Sequence, residues 1–553
     1  MHTGGCGTGK PVAKGRIRMK KIVALIITIA IMLSVLVSGC TGQATDNTKK
    51  QVEETKLVVG TTAQVDSISL GDGTMQLYRL MMLSPGLVRI DEKGDTVGVL
   101  AESWETPDNQ KWTFHLVKNA TFHDGTPVTS GDLKFTLEYM PRMNFSSYKS
   151  EWQLIDTIET PDDYTLVINL KKPSAAFMTS MLIMRTLPQH IYKDVDAPKN
   201  FTNPKGAIGC GPYKFESFDK DAGVITFRAY DEFFMGKPAV DVIEIRSFKN
   251  PDTMVMALQK GEIDVTYIYA GSISYYYVPK LLQNDDIKFL MVKNLGIPKV
   301  LWINNDIAPY NDAKFREALS HAINYEELKN LFAAGYGRTP NGGFVPEGTF
   351  NYVETSPLTY DINKTKELMA GAGYKDTDGD GYFNYANGTE LKPIILANAG
   401  VPDDVRLAEM LQKYFNAAGI EAQAKIVDKS TFDALTYDGK YSEMFIIGTT
   451  YFGMQAWGQY GSSYMDSRMY AWSNVVDPEF YSIVDGLLAT SNKDEKKRLA
   501  EDIQNYYATQ YPSLALYWND LVQPYNKKYE GYVAGPMFGI MSFETFYGLH
   551  KAA

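Results

Sequence analysis

Residues 100–140 decide the fold, and they read LAESWETPDNQKWTFHLVKNATFHDGTPVTSGDLKFTLEYM. The letters PDN mark a turn, and the alternation of polar and apolar residues over 111–117 predicts a strand behind it. A second turn, HDGTP, follows that strand. Thr129 or Ser130 then caps a helix whose apolar residues recur at helical spacing. The stretch therefore predicts turn, strand, turn and capped helix in close succession.

Four more blocks of the same kind follow along the chain. They are GCGPY at 209–213, YDEFFMGKPAVDVI at 230–243, KGEID at 260–264 and LWINNDIAPYNDAKFREALSHAINYEEL at 301–328. Between and after them, helix and strand signals alternate, most clearly in the 3.6-residue period from Asp404 to Ala418. This alternation favours an α/β architecture.

The five blocks, in this order, resemble the signature of the family 5 extracellular solute-binding proteins, the peptide- and nickel-binding subunits of ABC importers. The resemblance covers about residues 57–530. It rests mainly on scaffold positions, such as the turn at 124–127, the helix stop at Gly261, and Arg316, which is expected to form a scaffold ion pair. His123 in a turn and His321 on a helix are likewise expected to be structural.

The resemblance implies a two-lobed α/β fold of the periplasmic-binding-protein type (class II), with hinge strands between the lobes and an extra subdomain inserted in the first lobe. On this basis lobe I comprises 57–84, 206–298 and 521–553. The inserted subdomain covers 85–205, and lobe II covers 299–520. The solute would be enclosed as the lobes close.

The N-terminal region predicts export and lipid attachment. Met19-Lys20-Lys21 precedes a sixteen-residue apolar run, which ends in Ser38-Gly39-Cys40. This layout is typical of a signal peptide over 1–39, with Met19 as a possible true start. The cysteine suggests a lipobox, in which Cys40 is lipidated. The alternative is a transmembrane helix, for which about 20 residues are needed.

Residues 40–56 are rich in Thr, Asn, Gln, Lys and Glu, and are expected to form a lipidated flexible tether. The expected location is the extracytoplasmic face of the cell membrane. Without residues 1–39 the chain has 514 residues, enough for two or three domains. The six basic residues removed shift the net charge from −10 to −16. Nucleic acid is therefore an unexpected partner. Apart from Cys40, the only cysteine left in the sequence is then Cys210, which is expected to be a buried small hydrophobe.

Candidate ligand residues follow the first strand and a strand of lobe II. Asp66 follows the first strand. Tyr451, Phe452, Met454 and Trp457 lie in FIIGTTYFGMQAWGQY, residues 445–460. Peptide-binding relatives often hold the peptide amine with an aspartate in this second stretch, but here it contains no acidic residue and Asp466 comes next. Nickel-chelate relatives instead use aromatic, methionine and arginine side chains around the chelate. For Asp66 the alternative is a simple solvent-exposed turn. For Tyr451, Phe452, Met454 and Trp457 the alternative is core packing.

No catalytic, cofactor or metal site is predicted. There is no G-x-S-x-G elbow and no zinc helix. GGCGTGK at residues 4–10 resembles a phosphate loop, but Pro11 replaces the required hydroxyl. Asp376 to Gly381 resembles the start of a calcium loop, but the twelfth position is Asn387 instead of glutamate. A polar turn is the preferred interpretation.

The predicted function is capture of an oligopeptide-like solute and its delivery to the permease of an ABC importer. The expected partners are this peptide or a small chelated solute, the permease and ATPase subunits, and the membrane through the lipid; the protein is expected to be a monomer and not an enzyme. A nickel or metal-chelate receptor is the first alternative. An extracytoplasmic peptide hydrolase and a solute sensor are the alternatives from other classes.

Overall fold

The computed structural model describes residues 54–552 except 64–66, 72–81, 92–94, 140–151, 176, 183, 269–271, 350, 437–442, 449–461, 470 and 536–538. The strands are β1 (Lys56–Thr61), β2 (Val88–Ile90), β3 (Thr96–Gly98), β4 (Ala101–Glu105), β5 (Lys111–Leu116), β6 (Ile155–Asp162), β7 (Thr165–Leu170), β8 (Tyr213–Asp219), β9 (Val224–Ala229), β10 (Val242–Ser247), β11 (Val265–Tyr267), β12 (Ile287–Ile303), β13 (Gly337–Arg338), β14 (Ile394–Asn398), β15 (Gln423–Val427), β16 (Met444–Ile447), β17 (Ser513–Asn526), β18 (Tyr529–Glu530) and β19 (His550–Lys551).

The helices alternate with these strands. They are α1 (Ser130–Tyr139), α2 (Phe177–Met181), α3 (Gln189–Tyr192), α4 (Pro251–Gln259), α5 (Val278–Leu281), α6 (Ala313–Ala322), α7 (Tyr325–Phe332), α8 (Ile362–Gly371), α9 (Pro402–Ala417), α10 (Lys429–Thr436), α11 (Ser462–Met465), α12 (Pro478–Ala489), α13 (Lys493–Gln510) and α14 (Phe543–Gly548). Within the described ranges, no helix combines the length and the apolar character needed to cross a membrane.

Local side chains set many of the helix starts. Asp312, Asp477 and Asn492 each accept a hydrogen bond from a main-chain N–H in the first turn of α6, α12 and α13. Glycines end other elements, as at Gly261, where φ is +70° and the chain leaves α4. The predicted strand at 111–117 and the predicted helix start at Thr129 or Ser130 are confirmed.

The main sheet has eleven strands in the order β15-β14-β16-β12-β17-β11-β1-β10-β9-β8, with β13 paired to β17. A separate four-stranded antiparallel sheet has the order β4-β5-β7-β6. It lies within residues 101–170, inside the predicted inserted subdomain. The fold is two-lobed and mixed α/β, as expected.

Buried apolar side chains form separate cores on the two halves of the main sheet. One set of clusters draws on residues 57–292 and 521–549, with Tyr336 packed against it from the second half, and the other draws on residues 300–518. The changes of core fall inside β12 and β17. The domain boundaries 298/299 and 520/521 fall in the same two strands, but the boundaries themselves stay a prediction.

Candidate binding crevice

The long strands β12 and β17 connect the two halves of the main sheet. They are antiparallel, from Ile287 opposite Asn526 to Trp302 opposite Ser513. The pairing is irregular at mid-length, where Gly296 lies opposite Asn519. Bulges of this kind increase strand twist, so the two halves change direction at the middle of these strands.

Strand ends from both halves face this midpoint. β11 is antiparallel to β17 and begins with Val265 opposite Tyr525, so its carboxyl end at Tyr267 is directed toward Asn519. β1 is parallel to β11 and ends beside it, with Thr61 opposite Tyr267. From the other half, β16 runs from Met444 opposite Ile303 to Ile447 opposite Val300, again toward the midpoint.

Open α/β sheets bind ligands beyond the carboxyl ends of their strands. Two sets of parallel strand ends, β1 with β11 and β14 with β16, are here directed toward each other across the middle of β12 and β17. We therefore identify the space between them as the candidate binding crevice.

The residues predicted to contact ligand follow these strand ends in the chain. Asp66 comes five residues after the end of β1, and Tyr451, Phe452, Met454 and Trp457 come shortly after the end of β16. All five lie outside the described residues, as does Cys40. Their roles stay predictions.

An aromatic cluster lies beside the end of β16. Trp472 stacks on Tyr464 with ring centroids 4.7 Å apart, and it meets Trp302 edge-on at 5.1 Å. Phe445 of β16 approaches the same ring at 6.2 Å. All four side chains are buried, so the cluster forms a rigid apolar support behind the crevice. Sequence reasoning missed Tyr464 and Trp472, because only their packing on Trp302 distinguishes them from other aromatic residues.

Asp466 is the first acidic residue after the stretch 445–460, and its carboxylate is hydrogen-bonded to a neighbouring arginine. It is fully buried, and its carboxylate accepts from Arg468 Nε at 3.0 Å and Nη2 at 2.7 Å and from the Arg468 main-chain N–H at 2.8 Å. Arg468 also binds Asp485 and lies 4.0 Å above the Tyr481 ring. These bonds raise the pKa of Arg468 above its usual range, the Asp466 hydrogen bond most strongly. Asp466 is therefore a structural group and a poor partner for a solute amine.

Polar groups line the midpoint of β17. The Tyr275 hydroxyl donates to the carbonyl oxygen of Asp520 at 2.5 Å, and its ring stacks on Tyr336 at 5.7 Å. Among the described residues, Trp518 Nε1 and Asn519 Oδ1 are buried and have no hydrogen-bond partner. A buried donor and a buried acceptor without partners are costly. Sequence reasoning missed Trp518, Asn519 and Asp520, because nothing local distinguishes them.

A buried ion pair braces the second half beside the bulge in β12. Lys299 Nζ contacts Asp404 Oδ1 at the start of α9, and their side chains are 17% and 5% exposed. Burial raises the pKa of Asp404, while the Lys299 ammonium opposes that rise.

α9 begins at Pro402, two residues before the predicted start at Asp404.

Arg316 corrects one prediction. It is 5% exposed and forms no ion pair with any residue that the structure describes. Its guanidinium donates to main-chain carbonyl oxygens of Tyr310 at 2.6 Å, Gln510 at 2.6 and 2.9 Å, and Tyr511 at 3.2 Å. The last two carbonyls end α13, where a cation is favourable because of the helix dipole. Burial lowers the pKa of Arg316 to about 10, so it remains protonated at neutral pH.

Cys210 and His123 have the structural roles expected of them. Cys210 is fully buried, and burial raises the pKa of its thiol to about 12. His123 Nδ1 accepts from the Gly209 N–H at 3.2 Å, so Nε2 carries the proton and donates to the Gly211 carbonyl at 3.0 Å. Burial lowers the pKa of His123 to about 4.

The loop that resembles a calcium site is a turn closed by its own main chain. Asp376 accepts from the N–H groups of Gly379 and Gly381 at 2.7 and 3.0 Å. The carboxylates of Asp376, Asp378 and Asp380 are exposed and lie within 4.8 Å of one another. The interpretation as a polar turn fits these bonds.

Comparison with known proteins follows this geometry. The family profile described as bacterial extracellular solute-binding proteins, family 5 Middle, matches residues 95–470. The oligopeptide-binding protein AppA of Bacillus subtilis is 26% identical over 434 residues, which are 75% of this chain and 78% of AppA. A putative ABC transporter peptide-binding protein of Brucella ovis is 28% identical over 359 residues, and the match covers 64% of each chain.

Two solved structures show the shared fold. AppA of B. subtilis with a nonapeptide has a TM-score of 0.74 at 22% identity, covering 90% of this chain and 100% of that one. NikZ of Campylobacter jejuni with Ni(L-His) has a TM-score of 0.72 at 23% identity, covering 90% and 99%.

Proposed function

This chain belongs to the bacterial extracellular solute-binding proteins of family 5, and on that premise we propose that it captures an oligopeptide-like solute between its lobes and delivers it to the permease of an ABC importer. The observation that carries the proposal is the convergence of strand ends from both halves on the middle of β12 and β17. A solute held there touches both lobes, so its binding favours closure.

The peptide assignment draws on the relatives. AppA is an oligopeptide-binding protein and was solved with a nonapeptide. Because the stretch 445–460 has no acidic residue and Asp466 is held by Arg468, a peptide amine would need another acceptor, and Asp66 or Asp520 are the residues we propose. Trp518 Nε1 and Asn519 Oδ1 would pair with peptide carbonyl and N–H groups.

A nickel chelate is the second candidate solute. NikZ has the same fold and was solved with Ni(L-His). The proposed contacts Tyr451, Phe452, Met454 and Trp457 suit the aromatic and thioether surroundings of a chelate as well as they suit a peptide.

A ligand panel separates the two candidates. Residues 41–553 would be melted with di- to nonapeptides, with nickel, and with nickel plus L-histidine. Ligand at 100 times its Kd adds about 2.7 kcal/mol to stability. Stabilisation by peptides supports the proposal, and stabilisation only by nickel with histidine replaces it. Trp457→Ala should abolish the shift, whereas Trp104→Ala, in β4 of the four-stranded sheet, should leave it intact.

We also propose attachment to the extracytoplasmic face of the membrane through a lipid on Cys40. The support is the order of basic, apolar and small residues before this cysteine. Cys40→Ser should move the full-length protein from the membrane fraction to the soluble extracytoplasmic fraction. Retention of Cys40→Ser in the membrane after a carbonate wash would favour a transmembrane helix.

The remaining assignments follow from binding without chemistry. We propose a monomer that needs no cofactor and does not turn over its solute. Mass spectrometry of the peptide panel after incubation would reveal hydrolysis, which would contradict this. Co-purification with a permease would separate transport from sensing.

A further inference from the structure

The turn between β4 and β5 contacts the second lobe at one defined point. The side-chain amide of Asn109 donates to the carbonyl oxygen of Ala489 at 3.1 Å and to Ser491 Oγ at 3.4 Å. Ala489 is the last residue of α12, and Ser491 lies between α12 and α13. The contact therefore joins the four-stranded sheet to the α12–α13 junction across 380 residues of sequence.

The donor is fixed before the contact forms. Asn109 has φ of +57°, a conformation that asparagine tolerates better than most residues. Its own carbonyl oxygen accepts from the Ser174 N–H at 2.8 Å and from Trp112 Nε1 at 3.2 Å. Asp108 Oδ1 accepts from the main-chain N–H groups of Gln110 and Lys111 at 2.9 and 2.8 Å. The main chain of the turn is therefore held by its own hydrogen bonds, and only the Asn109 side-chain torsions remain to be fixed when the amide meets its acceptor.

The acceptor needs a donor from outside its helix. The last carbonyls of a helix have no partner within it, and the C-terminal end also carries partial negative charge. At the end of α12 the Thr490 N–H returns to Gly486. The Asn109 amide supplies the Ala489 carbonyl with a donor from the other lobe.

Beside this contact, a cavity of about 560 Å³ lies between the first-lobe side and the second lobe. It is lined by Leu154, Lys172 and Ser174 on one side and by Arg468, Met469 and Leu488 on the other. Among the described residues, the side-chain hydrogen bonds from the turn between β4 and β5 to the α12–α13 junction are those of Asn109, so loss of its amide should be measurable.

We propose that Asn109 is the closure contact between the four-stranded sheet and the second lobe, and that it sets how long a solute is retained without touching it. This rests on the proposed function, in which the lobes close around a solute. Opening the lobes breaks the Asn109 contact and leaves the Ala489 carbonyl to water. The contact therefore stabilises the closed state and slows solute release.

Two substitutions isolate the amide. Asn109→Gly retains the positive φ and removes the donor. Asn109→Asp retains the shape but places an acceptor and a negative charge against the helix end. The matched control is Gln110→Ala in the same turn, because Gln110 Nε2 donates to Leu170 within the four-stranded sheet at 2.8 Å.

Closure would be measured as a distance in residues 41–553. Spin labels on Glu102→Cys and Lys497→Cys, both at exposed positions, report the separation across the contact, while the buried Cys210 stays unlabelled. Distributions would be recorded without solute, with a tryptic casein digest, and with nickel plus L-histidine. Loss of one or two hydrogen bonds should lower the odds of the closed state by about 3- to 10-fold in Asn109→Gly, and by more in Asn109→Asp.

The ratio of closed to open molecules in Gln110→Ala should equal that of the wild type. The melting temperatures of all variants should lie within a few degrees of the wild-type value. Equal distributions in the wild type, Asn109→Gly and Asn109→Asp overturn the closure contact, whatever the two probes do. If neither probe shifts the wild type but Asn109→Gly still loses its closed fraction, the contact stands and the proposed function fails.

Discussion

Arg316 gives a test of how the second lobe is held together. Arg316→Met removes the donors that the structure shows for the buried carbonyl oxygen of Tyr310 and for the part-buried carbonyl oxygens of Gln510 and Tyr511. An orphaned buried acceptor costs about 1–3 kcal/mol. Part of this is offset, because the substitution also removes a buried cation.

The expected loss is about 3–5 kcal/mol in the free energy of unfolding. It would be measured by urea denaturation followed by tryptophan fluorescence. Arg498→Met is the matched control, because Arg498 lies on α13 and its side chain is 56% exposed. Its ion pairs with Glu495 and Asp502 are exposed and screened by solvent, so its loss should change the free energy of unfolding little.

Equal losses in Arg316→Met and Arg498→Met would refute the reasoning. If Arg316→Met does not fold, Arg316→Lys decides. A lysine keeps the charge but cannot reach all three carbonyls in one geometry, so it should fold with an intermediate loss.

Three further predictions follow from single residues. Burial raises the pKa of Cys210 to about 12, so in a protein of residues 41–553 this thiol should not react with a thiol reagent at pH 8 until the protein is unfolded in urea. Rapid labelling of the folded protein would contradict this. Burial lowers the pKa of His123 from the usual 6.5 to about 4 in the folded protein. The unfolded state therefore binds more protons between these two values, and stability should fall as the pH drops from 6.5 to 4, by up to about 3 kcal/mol. His123→Gln should flatten that part of a melting-temperature series, and an unchanged slope would assign the pH effect to other groups. Lys299→Met leaves the Asp404 carboxylate buried without its cation, and it should lower the free energy of unfolding in urea by about 3 kcal/mol. This is the low end for a broken buried pair, because Lys299 is partly exposed. Lys364→Met is the control, since its pair with Glu367 is exposed, and it should change the free energy of unfolding little.

Local signals in the sequence predicted several elements closely. The strand predicted over 111–117 and the helix predicted to start at Thr129 or Ser130 lie where expected, because alternation and a capping side chain act between sequence neighbours. Where such a signal is weak the bounds shift: the helix predicted from the period that starts at Asp404 begins at Pro402.

The sequence by itself determined the family, the α/β class and these local elements, because caps, stops and periodicity act within about a dozen residues. Only the tertiary structure decided the register of β12 on β17, the partners of Arg316 and the contact of Asn109 with Ala489. Apart from the bond of Arg316 to Tyr310, each of these joins groups that are about 190 to 380 residues apart in sequence. Asp466 shows the same limit. Its sequence position left it open to a solute amine, whereas in the fold the Arg468 guanidinium satisfies its buried carboxylate, since a buried charge requires a partner.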